Sequence, residues 1–180
     1  METYIALFRG VNVGGSHKLP MKELKLLLER NGCCDVQTYI QSGNAIFRSA
    51  VSDVERLAKQ ISVAVSKSHG FAPQVLLLTR ADLEKAAAAN PFPEAREHPQ
   101  SVHLFFLTES PAKADLKGCE AIKAKTERFA LKGNVFYLHT PDGFGSSKLA
   151  QRAEKLLAVP STARNWRTVT TLVDMAKVCR

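Results

Sequence analysis

Two short segments restrict this chain more than any other feature: Ser42-Gly43-Asn44-Ala45-Ile46-Phe47 and Lys132-Gly133-Asn134-Val135-Phe136-Tyr137. Each sets a Gly-Asn pair, suited to a tight turn, directly before an apolar run suited to a strand. The spacing upstream recurs as well. Pro20 lies 23 positions before Gly43, and Pro111 lies 22 before Gly133. A helix and hairpin that recur in register imply an internal duplication, so the fold must be one that a chain of this length can build twice.

The first copy defines the unit. Tyr4-Ile5-Ala6-Leu7-Phe8 reads as a strand, and Met21, Leu24, Leu27 and Leu28 as the stripe of a helix that Asn31-Gly32 closes. Val36 to Ile40 and Ala45 to Phe47 read as a hairpin around Ser42-Gly43-Asn44. Ser52-Asp53-Val54-Glu55 reads as a capping box opening a helix that ends at Gly70, and Gln74 to Leu78 as a fourth strand. The order β-α-β-β-α-β is the split βαβ, or ferredoxin-like, unit with an antiparallel sheet. The expected class is therefore α+β with duplicated units.

Residues 1–90 are assigned to the first unit, including a short alanine-rich helix over 80–89. Asn90-Pro91-Phe92-Pro93 marks a linker over 91–100, and 101–180 form the second unit. There Val102 to Leu107 reads as a strand, Ser110-Pro111 as a helix start, and Ser146 or Ser147 as a helix cap. The second copy is expected to end in an extra helix instead of its last strand. Trp166, Val169, Leu172, Val173 and Ala176 would lie on one face of that helix, with Arg164 and Arg167 on the other.

The copies differ between first strand and first helix. Leu7 to Pro20 spans 13 positions, but Leu107 to Pro111 only 4. The surplus is the stretch Arg9-Gly10-Val11-Asn12-Val13-Gly14-Gly15-Ser16-His17-Lys18. A loop that the second copy folds without is a candidate for function. In this topology it shares a sheet edge with Gln41-Ser42-Gly43-Asn44. Backbone amides of Gly14 and Gly15, the charges of Arg9 and Lys18, and the polar groups of Asn12, Ser16, Gln41, Ser42 and Asn44 would then face a phosphate or carboxylate at a helix start. The bland reading is a loop bound to its own fold by Arg9 and Asn12. Gly10 to Gly15 has Walker A spacing, but Ser16 stands where its Lys belongs, and no Gly-x-Gly-x-x-Gly occurs.

Catalytic patterns are weak. Ser16 and His17 are sequence neighbours, a poor nucleophile–base pair, and no paired carboxylates stand out. The four cysteines form no C-x-x-C pair and no zinc spacing, so neither a metal nor a cofactor is expected, and free thiols suit a reducing cytoplasm. No signal peptide or membrane span is apparent. The net charge of +8 permits an acidic partner such as nucleic acid. It is concentrated late: from Ser146 to Arg180, seven Lys or Arg face only Glu154 and Asp174.

The segments Phe8 to Gly15, Lys18 to Leu24, Thr38 to Asn44, Pro141 to Leu149 and Thr162 to Thr168 together resemble the signature of a bacterial family, domain of unknown function 1697. The likeness spans nearly the whole chain and is looser from Val51 to Lys125. It implies an uncharacterised cytosolic bacterial protein with a ferredoxin-like element, and supplies no catalytic roles.

The expected function is a binding module for a phosphate-bearing ligand, a nucleotide or nucleic acid, at residues 9–18. Arg9, Asn12, Gly14, Gly15, Ser16, Lys18, Gln41, Ser42, Asn44, Arg164 and Arg167 are the candidate ligand-binding residues. The alternatives are an enzyme on a small anionic metabolite, or an interaction module that homodimerises through the apolar strand Val75 to Leu78.

Overall fold

The computed structural model describes residues 1–179. It contains two four-stranded antiparallel sheets with the same strand order, each with helices packed on it. The compact units are Met1–Lys85 together with the residues from Thr171 on, and Ala86–Thr170.

In the first unit β1 (Glu2–Arg9), α1 (Met21–Arg30), β2 (Cys34–Tyr39), β3 (Asn44–Ser49), α2 (Val54–His69) and β4 (Gln74–Thr79) follow one another, and α3 (Arg80–Ala88) comes after. The sheet order is β2-β3-β1-β4. Tyr4 faces Phe47 and Ala6 faces Ala45 across the β1–β3 pair, while Ala6 also faces Leu77 of β4. Residues Tyr4 to Phe8 are all buried, so β1 reads as an unbroken apolar run instead of an alternating one. Tyr4, Ala6 and Phe8 point into the core beneath the helices, where Leu24 and Leu28 of α1 meet Leu57, Ile61 and Val65 of α2. Each such leucine or isoleucine, taken wholly out of water, contributes roughly 1.5–3 kcal/mol.

The caps follow the chemistry with one shift. Asp53, not Ser52, is the N-cap of α2 and accepts from the Arg56 amide, while Gly70 closes the helix in the left-handed region at φ +76°. The carboxylate of Asp53 suits the positive end of the helix better than a hydroxyl does.

The second unit carries a turn of 3-10 helix at Pro93–Arg96, then β5 (Val102–Leu107), α4 (Leu116–Ile122), β6 (Arg128–Lys132), β7 (Val135–His139), α5 (Lys148–Leu157) and β8 (Ser161–Asn165). Its sheet order is β6-β7-β5-β8. The last strand is thus present, and α6 (Trp166–Val178) follows it instead of replacing it. β8 pairs with β5 through Leu104 opposite Arg164, Phe105 opposite Ala163 and Phe106 opposite Thr162. This strand escapes hydrophobic patterning because its buried positions are Ser161, Thr162 and Arg164, held by the ladder and not by apolar side chains. Arg164 therefore sits on a strand, not on the outer face of a helix.

α4 also departs from the expectation. Ser110-Pro111 leads a turn, and the helix begins at Leu116, where Asp115 accepts from the Gly118 amide. Counted from strand end to helix start, Arg9 to Met21 is 12 positions and Leu107 to Leu116 is 9. The first copy's excess is three residues, not nine. Length alone therefore no longer distinguishes the glycine loop.

Candidate functional site

The loop after β1 is pinned at both ends by apolar anchors. Val11 and Leu19 are buried, whereas Val13 to Lys18 between them are exposed. Asn12 ties the two ends together. Its Nδ2 donates to the Leu19 carbonyl at 2.9 Å and to the Gln41 carbonyl at 2.8 Å, and its Oδ1 accepts from the Leu19 amide at 2.8 Å. It does so at φ +55°, a left-handed conformation that asparagine tolerates better than most residues.

The Gln41–Asn44 bend meets the same rim. Phe8 donates its amide to the Gly43 carbonyl at 2.9 Å, and Gly43 lies so close to Phe8 and Val11 that a Cβ there would overlap the Val11 methyl. The bend itself is tight. Ile40 adopts φ +48°, a strained state for a β-branched residue, and is half exposed. Asn44 is wholly buried and donates from Nδ2 to the Tyr39 carbonyl and to Ser42 Oγ.

Much of the polar inventory is thus spent inside the fold. Asn12 and Asn44 are structural staples, and Ser16 donates its hydroxyl to the Val13 carbonyl while its amide closes a turn on the same oxygen. Arg9, at the end of β1, donates to Gln74 Oε1 at 3.1 Å. His17 is fixed as well. Its Nδ1 lies 3.2 Å from the Gly10 carbonyl, so that nitrogen donates, and its ring stacks on Phe71 at 4.7 Å. No sequence signal points to Phe71, because nothing local joins residues 17 and 71.

The groups still directed outward form a smaller set. Gly14 and Gly15 are exposed at φ +58° and +79°, and their amides make no hydrogen bond among the described residues. Lys18 is exposed beside them. Pro20 stands at the N-cap of α1 and gives it no side-chain cap, and the first helical hydrogen bond is Leu24 to Pro20, which leaves the amides of the first turn open at the positive end of the helix dipole. Gln41 is exposed across the rim, as is Ser42, whose Oγ is already engaged by Asn44 Nδ2.

Arg164 and Arg167 belong to the second unit. Arg164 is buried and donates from Nη1 to Thr162 Oγ1 and to the Ala163 carbonyl, each at 2.8 Å. Burial pulls its pKa down to about 10, still far above neutrality. Arg167 is exposed and borders an open hollow of about 710 Å³ with Glu94, His98, His139, Pro141 and Gly143. Two residues of its lining are engaged by Arg128, which donates to Glu94 and, at 3.1 Å, to His139 Nδ1. A guanidinium only donates, so His139 Nδ1 accepts and the ring is neutral. Burial first, then the charge of Arg128, push its pKa down. Among the described residues no group of three His, Cys, Asp or Glu side chains is placed to hold a metal ion, and no helix is long and apolar enough to cross a membrane.

Comparison with known proteins agrees with this architecture. The family described as "Protein of unknown function (DUF1697)" matches residues 1–137. A solved structure, that of the conserved bacterial protein SP0830 from Streptococcus pneumoniae, is similar with a TM-score of 0.70 at 26% identity, over 98% of this chain and 99% of that one. No functionally curated protein matches the chain.

Proposed function

This chain belongs to the DUF1697 family, and we propose that it is a binding module for a phosphate-bearing ligand, a nucleotide or nucleic acid, at the rim formed by the glycine loop and the Gln41–Asn44 bend. One observation carries the reading. The loop is held rigidly by Asn12, Val11 and Leu19, yet its tip presents the Gly14 and Gly15 amides unspent, beside Lys18 and the uncapped start of α1. A loop built only to turn the chain has no need to hold two amides outward. A tetrahedral oxyanion accepts several such donors at once, and the helix dipole and Lys18 favour its charge. The rim is open, and its imidazole, His17, is engaged by Gly10 and Phe71, so binding is supported better than catalysis. Both sheets share one strand order, which we read as an internal duplication, with the site on the first copy. All four cysteines are unbridged, which suits a reducing compartment, and we place the protein in the cytoplasm.

Fluorescence anisotropy with a labelled nucleotide and a labelled single-stranded oligonucleotide tests this. Affinity should fall steeply with added salt, and Lys18→Ala should weaken it several-fold. If Lys18→Ala bound both probes as the parent does, the site would lie elsewhere. A preference for one probe separates the two ligand sources.

A further inference from the structure

Beyond that reading, we propose that the groove between α1 and α2 is a docking site for an acidic amphipathic helix of a protein partner. The groove encloses about 860 Å³ within the first unit. Its floor is apolar and exposed: Leu26 of α1 is 51% accessible and Val63 of α2 is 44% accessible, with Ala64 half buried beside them. Leu26 lies off the stripe that α1 buries through Leu24, Leu27 and Leu28, and Val63 lies off the stripe of Leu57, Ile61 and Val65. Neither residue serves the core.

The walls decide the occupant. Arg30, Arg56, Lys59 and Lys67 line the groove, are exposed, and take part in no ion pair among the described residues. The single carboxylate on the lining is Glu23, which His69 Nε2 already engages at 2.8 Å. An apolar strip between rows of unpaired cations complements a partner with apolar anchors and flanking carboxylates.

Three considerations select a helix. Both walls are helices whose own backbone is satisfied, so the groove offers no ladder to an extended strand, whereas a helix arrives with its backbone already bonded. α1 has 10 residues, a length of about 15 Å, enough for nearly three turns of a docked helix with anchors at i, i+3 or i+4, and i+7. The lining holds no Phe, Tyr or Trp, so it lacks the stacking surface through which single-stranded nucleic acid gains affinity.

The test is a selection from displayed helical peptides on the full chain, counter-selected on the Lys59→Glu/Lys67→Glu variant. It is expected to enrich acidic sequences with apolar residues at helical spacing. An enriched peptide titrated into isotopically labelled protein should shift the amides of Leu26, Arg30, Val63 and Lys67. It should bind at least tenfold more weakly to Lys59→Glu/Lys67→Glu and at least fivefold more weakly to Val63→Asp. All three substituted side chains are exposed, and the circular dichroism of each variant is checked first; Lys59→Gln alone, expected to weaken binding a few-fold, replaces any variant that fails to fold. Lys18→Ala should leave peptide affinity unchanged, so failure of the phosphate reading and failure of this one are separate results. The proposal is overturned if enriched peptides are neutral or basic, or if their footprint lies off the groove. It is equally overturned if an oligonucleotide and no peptide shifts those amides, or if light scattering shows a dimer that Val63→Asp dissolves.

Discussion

Replacing Gly43 by alanine tests whether the loop and the bend are as tightly joined as the structure has them. At φ +78° any residue with a Cβ is strained, by roughly 1–2 kcal/mol. The new methyl would also overlap Val11 Cγ2 and lie 2.8 Å from Phe8 Cβ. Val11 is buried and Phe8 is held by its hydrogen bond to Gly43 itself, so neither neighbour yields cheaply. Overpacking of this kind adds roughly 1–3 kcal/mol. Gly133, at the corresponding bend of the second unit, is the internal control: it has φ +58°, but a methyl added there would meet nothing within 4 Å. Gly133→Ala should therefore carry only the backbone cost. The prediction is a difference of roughly 1–3 kcal/mol between the two variants, measured by urea denaturation followed by circular dichroism. In a chain of 180 residues each kcal/mol corresponds to a fall in Tm of about 2–4 °C. If Gly43→Ala were no more destabilising than Gly133→Ala, the close approach of the two segments would be refuted.

Further outcomes follow from other positions. Asn12→Asp keeps the acceptor for the Leu19 amide but loses both donated bonds, and should cost about 1–3 kcal/mol and loosen the loop, seen as faster amide exchange at Leu19. His103 stacks on Phe144, and burial lowers its pKa to about 4 from the ordinary 6.5. The unfolded chain then binds more protons between those values, so the stability gained by keeping His103 neutral is full above pH 6.5 and lost as pH falls toward 4. Parent stability should drop by on the order of 3 kcal/mol over that window, and His103→Phe should flatten the profile. Burial raises the Cys33 thiol to about 11, whereas Cys34 is exposed, so brief alkylation at about pH 8 should label Cys34 first in a peptide map. Tyr137→Phe removes a buried hydrogen bond to the Ala86 carbonyl and should cost about 1 kcal/mol in urea denaturation.

The architecture is legible where burial is apolar and the turns are chemically marked. The α1 and α2 stripes and the Gly-Asn bends each carry a period or a turn signal, and Tyr4 to Phe8, an unbroken apolar run without a period, is marked as a strand by its shortness and the glycine loop that follows it. β8 is not legible, because Thr162 and Arg164 occupy its buried positions and only the ladder with β5 makes them a strand. The start of α4 is misleading in sequence because Ser110-Pro111 has the chemistry of a cap, while Asp115 farther along satisfies the Gly118 amide directly. The site follows the same division. That the loop and the bend share a rim follows from topology. Which polar side chains remain outward does not, since Asn12 and Asn44 spend their groups on carbonyls brought near by the fold. The groove is hidden for a related reason: Leu26 and Val63 are unremarkable singly, and only the pairing of two helices sets them side by side.

The decisive measurement is a nitrogen–proton NMR titration of the labelled protein with ATP and with a short oligonucleotide, at low and at high salt. The expected result is a set of saturable shifts centred on the amides of Gly14, Gly15 and Lys18, reaching the first turn of α1 and receding as salt is raised. Amides at residues 14–18 that stay in place while others move, or that respond to neither probe at millimolar concentration, would contradict a phosphate site at this rim.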